Sequence, residues 1–123
     1  MLYNGNEEEV KVMINIIGDN IKKLREDMGL NQLNIAHFLN VDQSMISKVE
    51  KGERSLSADM LEKLACLFGV TVDDMEKEIV KKPSYAVAFR ATELTSEDME
   101  TIYRINKIAM NISFMTNKLK GEQ

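Results

Sequence analysis

The chain has 123 residues, 44% of them hydrophobic and 29% charged, enough for one small domain with room for an appendage. No apolar run approaches the roughly 20 residues that span a bilayer, a single Cys66 excludes an internal disulfide, and Met1 to Glu9 lack the basic start and apolar centre of a signal peptide. A cytoplasmic location with no membrane partner is therefore expected. The formal net charge of −4 counts against indiscriminate coating of nucleic acid. Selective binding stays open, because Lys22, Lys23, Arg25, Lys48, Lys51 and Arg54 make one stretch basic while Glu7, Glu8, Glu9, Asp73, Asp74, Glu76 and Glu78 hold the acid elsewhere.

Residues 1–12 are polar and acidic and are expected to fray. Ile14, Ile17, Ile21, Leu24 and Met28 then recur at spacings of three and four, one apolar stripe on a first helix that Gly29 ends. Asn31 caps a second helix near Gln32–Leu39, and Asn40 sits where a turn needs positive φ, which asparagine tolerates. Asp42 is placed to cap a third helix near Gln43–Glu50, stopped by Gly52. Ser57 caps a fourth, with Met60, Leu61, Leu64, Ala65 and Phe68 on its buried side and Gly69 as terminator; Thr71 caps a short fifth.

Lys81-Lys82-Pro83-Ser84 marks a boundary. The expected organisation is a flexible segment over 1–12, a helical domain over 13–81 and a C-terminal extension over 82–123. Within the extension, Tyr85 to Arg90 reads as a strand or an extended arm. Thr95-Ser-Glu-Asp98 opens a long helix to about Lys118, with an apolar seam at Ile102, Ile105, Ala109, Ile112 and Leu119 that Ile108 and Met115 widen.

Two short helices joined by a tight turn over Gln32–Glu50, the second presenting small polar and basic side chains, have the form of a helix-turn-helix. The quoted pieces are Ile17-Gly-Asp-Asn-Ile-Lys-Lys-Leu-Arg25, Leu30-Asn-Gln-Leu-Asn-Ile-Ala36, Ile46-Ser-Lys-Val-Glu-Lys-Gly52, Leu61-Glu-Lys-Leu-Ala65 and Phe68-Gly-Val70. Through them, residues 16–75 resemble the Cro/CI-type, or Xre-like, family of phage and bacterial repressors. The resemblance implies an all-α, five-helix lambda-repressor-like domain whose third helix reads double-stranded DNA. It places base contacts at Gln43, Ser44 and Lys48, with Ser47 a further candidate, and joins Arg25 and Glu50 in a structural ion pair. Glutamine can pair bidentately with adenine and lysine with guanine. Asn31, Gln32, Lys51 and Arg54 are candidates for phosphate contacts, Gln32 through its side-chain amide and a helix N-terminus. Asn40 stands where the family carries glycine, and Leu33 and Phe38 are bulkier than the pattern; Phe38 is expected against the fourth helix or the appended one.

Nothing points to catalysis, a cofactor or a metal: there is no HExxH, CxxC or glycine-rich phosphate loop, and His37 is alone. Cys66 reads as a partly buried structural thiol. A lone helix of some 20 residues is not stable in water, so the extension's seam at Ile102, Ile105, Ala109 and Ile112 is expected to form a homodimer, with packing over the first and fifth helices as the alternative. The functional expectation is a dimeric repressor reading a palindromic operator. An antitoxin whose C-terminal segment binds a protein partner, and an interaction module without DNA binding, stay open beside it.

Overall fold

The structure is a computed structural model that describes residues 7–78 and 95–119, with side chains to residue 112. Among them every regular element is helical: α1 Glu7–Asp27, α2 Gln32–Leu39, α3 Gln43–Glu50, α4 Ala58–Phe68, α5 Val72–Met75 and α6 Ser96–Leu119. None is long and apolar enough to cross a membrane. Tyr85 to Arg90, the Lys81–Pro83 boundary, and the side chains of Met115 and Leu119 lie outside the described residues.

Helix α1 corrects the expected boundary at residue 12. It runs 21 residues from Glu7, with Glu7, Glu8 and Glu9 in its first turn, where carboxylates favour the positive end of the helix dipole. The fraying expected for residues 1–6 falls outside the described part.

The core forms where α1 to α5 face one another, around Ile21, Leu24, Ile35, Ala36, Ile46, Val49, Leu64, Leu67, Phe68 and Met75. Capping fixes the ends. Ser57 Oγ accepts the Met60 N–H, and at α5 Thr71 and Asp74 exchange side-chain to backbone bonds. Partial burial raises the Asp74 carboxyl, but bonds from Thr71 and Lys77 outweigh it and hold the group below its ordinary range. Asp42 occupies the cap position of α3 but makes no side-chain cap hydrogen bond. Asn20, buried within the apolar stripe of α1, donates to Met75 O at 2.7 Å and Lys77 O at 2.6 Å, tying the end of α5 to α1.

Helix α6 packs on α4 and α2, not over the first and fifth helices. Met99 and Ile102 are buried there, and Tyr103 meets Phe38 edge to face, centroids 5.7 Å apart at 72°. Lys63 completes the junction. Its ammonium lies 4.6 Å from the Phe38 ring centre, donates to Phe38 O at 3.3 Å and pairs with Glu100 at 3.5 Å. The buried Asn106 amide donates to Cys66 O at 2.9 Å and Leu67 O at 3.2 Å, satisfying carbonyls at the end of α4. Asn106→Ala should lower stability by about 1–2 kcal/mol, because those carbonyls lose their donor while buried; urea unfolding of the variant measures it.

The predicted seam is therefore divided. Ile102 belongs to the protein's own core and is not available to a partner, whereas Ile105, Ala109 and Ile112 are exposed, together with Ile108. The reason is helical phase: at about 100° per residue, Met99, Ile102, Tyr103 and Asn106 share one face and Ile105, Ile108 and Ile112 lie on the far side.

Candidate nucleic-acid interface

The second helix of the motif starts from a reciprocal cap. Asn31 Oδ1 accepts the Asn34 N–H and Asn34 Oδ1 accepts the Asn31 N–H, both at 2.8 Å. At the other end Asn40 takes the left-handed conformation, φ 58° and ψ 49°, and its N–H reaches Ala36 O and His37 O. Val41 N–H also returns to Ala36 O at 2.9 Å, so the turn is closed from its own backbone. Ala36, with no exposed surface, belongs to the same buried core as Ile35, Ile46 and Val49, and α2 and α3 pack against each other.

That packing leaves Gln43, Ser44 and Lys48 exposed on α3, with Ser47 half-buried. Lys48 and Arg54 are brought together. Both line a recess of about 450 Å³ with Asn40, Val41, Asp42, Ser44 and Met45, although Arg54 comes from the loop after α3. Lys51 is exposed as the C-cap of α3. Asn31 is exposed, with its side-chain oxygen committed to the cap.

Behind this face sits a polar clamp. Arg25 Nε donates to Glu50 Oε2 at 2.7 Å and Nη2 to Glu50 Oε1 at 3.0 Å, while Nη1 donates to Leu30 O at 2.9 Å. Gln32 Nε2 is the third donor to this carboxylate, reaching Glu50 Oε1 at 3.1 Å. The Glu50 side chain is only 3% exposed and that of Arg25 11%. The clamp ties the end of α1, the start of α2 and the end of α3, so the angle at which α3 presents its side chains is set by a bidentate charge pair. The Gln32 amide is spent inside this network. The N–H groups of Gln32 and Leu33 in the first turn of α2 have no intrahelical carbonyl to donate to.

Three positioning residues were not singled out from sequence. Gly18 is buried on α1, and a Cβ there would meet Val49 O and the Glu50 carbonyl group. Asn20 and Asn106 are the buried amides described above. For Asn20 the signal was present: an amide midway between Ile17 and Leu24, on the stripe itself.

His37 is exposed on α2. Burial, with Glu62 nearby, pushes the half-buried Cys66 thiol up, favouring the unreactive protonated form. Among the described residues no three His, Cys, Asp or Glu side chains come together as a metal site.

Two short helices packed together, a left-handed turn between them and a braced polar row on the second define a helix-turn-helix protein. The helix-turn-helix family model matches residues 21–75. The control protein C.MunI of a Mycoplasma species is 33% identical over 66 residues, covering 53% of this chain and 89% of that protein. A protein of Saccharolobus islandicus named as an HTH-type transcriptional regulatory protein is 30% identical over 95 residues, covering 75% of this chain and 31% of the relative. One of the same description from Saccharolobus solfataricus is 29% identical over 94 residues, covering 74% and 30%. The chain thus spans about a third of the length of these Saccharolobus relatives. No solved structure matches. The chain belongs to the Cro/CI-type, Xre-like helix-turn-helix family of DNA-binding transcription regulators.

Proposed function

We propose that the protein represses transcription as a dimer that reads a palindromic operator, each α3 entering one major groove. The observation that carries this reading is the exposed row Gln43, Ser44 and Lys48 on a helix whose orientation is fixed from behind by Arg25, Glu50 and Gln32. Side chains that discriminate bases must arrive at a fixed distance and angle, and a braced helix supplies both. Lys48 and Gln43 are the base readers, with Ser44 beside them and Ser47 at the edge of the row. Arg54, Lys51 and the N–H groups opening α2 hold phosphates and set the register. Only Lys48 is cationic on the reader helix, so much of the affinity falls to the dimer.

Selection of bound duplexes from a random pool, run on wild type and Lys48→Ala, tests the reading. The wild type should enrich a two-fold symmetric motif with half-sites about 10 base pairs apart. Lys48→Ala should lose about 1–3 kcal/mol per half-site and relax the motif at one position. Equal loss on selected and random DNA would assign Lys48 to phosphate instead. No enrichment at low salt by folded protein would overturn the repressor reading.

The exposed isoleucines of α6 favour a second reading, an antitoxin that binds DNA through the same α3 and a toxin through α6. A stable complex with a different chain, in place of a dimer, would identify it.

A further inference from the structure

We propose that α6 pairs antiparallel with α6 of a second copy through Ile105, Ile108 and Ile112. This rests on the dimeric reading above and assigns the face and polarity of its interface.

The three isoleucines are 50%, 60% and 58% exposed. They stand three and then four residues apart, the alternation that keeps a seam facing a partner helix, and Met115 and Leu119 continue it in sequence. The opposite face of α6 is already occupied: Met99, Ile102, Tyr103 and Asn106 hold it to α4 and α2. The helix is thus docked on one side and carries a row of exposed isoleucines on the other.

Charge along α6 selects both occupant and polarity. Glu97, Asp98 and Glu100 fall in its first turns, whereas Arg104, Lys107 and Lys118 follow. A parallel copy would set acid against acid and base against base. An antiparallel copy centred on Ile108 brings Glu97 and Asp98 of each helix level with Lys118 of the other and opposes the two helix dipoles. One sequence therefore supplies both halves of a complementary surface, as a two-fold interface requires. An anionic lipid surface fits poorly, because the first turns of the helix are acidic.

Light scattering on the full chain tests the face. Wild type should have the mass of a dimer, and Ile108→Lys that of a monomer with unchanged far-UV helicity, whose melting temperature, unlike that of wild type, does not depend on protein concentration. Spin labels on Ser96→Cys, in a Cys66→Ser background, test the polarity and leave every charge of α6 in place. Antiparallel pairing about Ile108 places the two labels roughly 35 Å apart, from 1.5 Å of rise per residue, whereas parallel pairing brings the helix starts to about the 10 Å interaxial spacing.

A wild type that stays monomeric across the concentrations of the DNA titration overturns the proposal, as does a dimer that survives Ile108→Lys. Short label distances overturn the antiparallel arrangement. The reader is scored separately. Monomeric Ile108→Lys should keep its preference for a half-site while losing about a hundredfold in affinity for the full operator, the low end of the gain from linked binding. A wild-type dimer with no sequence preference would instead fail the DNA-reading proposal and leave the α6 pair standing.

Discussion

Glu50→Ala should lower the unfolding free energy by about 3–5 kcal/mol, the cost of removing one partner of a buried charge pair. Without Glu50 the Arg25 guanidinium keeps Leu30 O at 2.9 Å as its remaining described acceptor. Gln32 loses its acceptor as well. Glu50→Gln should be milder, since an amide oxygen can still accept from Arg25. Replacing both members with apolar residues of similar volume, Arg25→Met with Glu50→Leu, should recover most of the loss, because nothing charged is then left buried. Urea unfolding checks this: midpoints should fall in the order wild type, Glu50→Gln, Glu50→Ala, at similar slopes. The double variant separates stability from function. It restores the fold without the fixed geometry of a bidentate pair, so its DNA affinity should stay below wild type at temperatures where both are folded. Recovery of full affinity would mean that apolar packing alone orients α3.

The helix-turn-helix was legible in sequence because its punctuation is local. Asn31, Asn40 and the apolar positions between them specify a cap, a left-handed turn and a buried face without reference to the rest of the chain, and α2 and α3 take the spans that those signals mark. The Arg25–Glu50 pair is different. Two charges 25 residues apart carry no local signal, and only the family resemblance joined them. The commitment of Gln32 to the same carboxylate was illegible for that reason, since its acceptor arrives from α3. On α6 the difficulty was one of phase. Two apolar faces share the helix, and the one that docks is interrupted by Asn106, a residue that periodicity scores as polar although its amide is buried against the end of α4. The more continuous row of isoleucines drew Ile102 into the wrong face. The start of α1 was misplaced because three glutamates suggest a solvated tail, while the helix dipole makes them good first-turn residues.

Gly18→Ala should destabilise the protein by about 3 kcal/mol, the upper end of the usual cost of overpacking, although alanine is the better helix former by about 1 kcal/mol. The sign is decided by what the added methyl meets. It meets backbone, Val49 O and the carbonyl group of Glu50, not the end of a side chain that could rotate away. Either α1 or α3 must move, and the moving end of α3 carries Glu50, so the clash also strains the Arg25 clamp. Gly29→Ala is the matched control. Gly29 has φ +72° with nothing within 4 Å of an added Cβ, so its substitution bears the left-handed strain alone, about 1–2 kcal/mol. The two variants differ most in function. Gly29→Ala leaves α3 in place and should bind DNA as wild type does wherever it is folded, whereas Gly18→Ala should lose affinity even when folded, because the reader helix has shifted. Equal DNA affinity of the two folded variants would show that the α1–α3 contact stabilises the domain without setting the position of the reader.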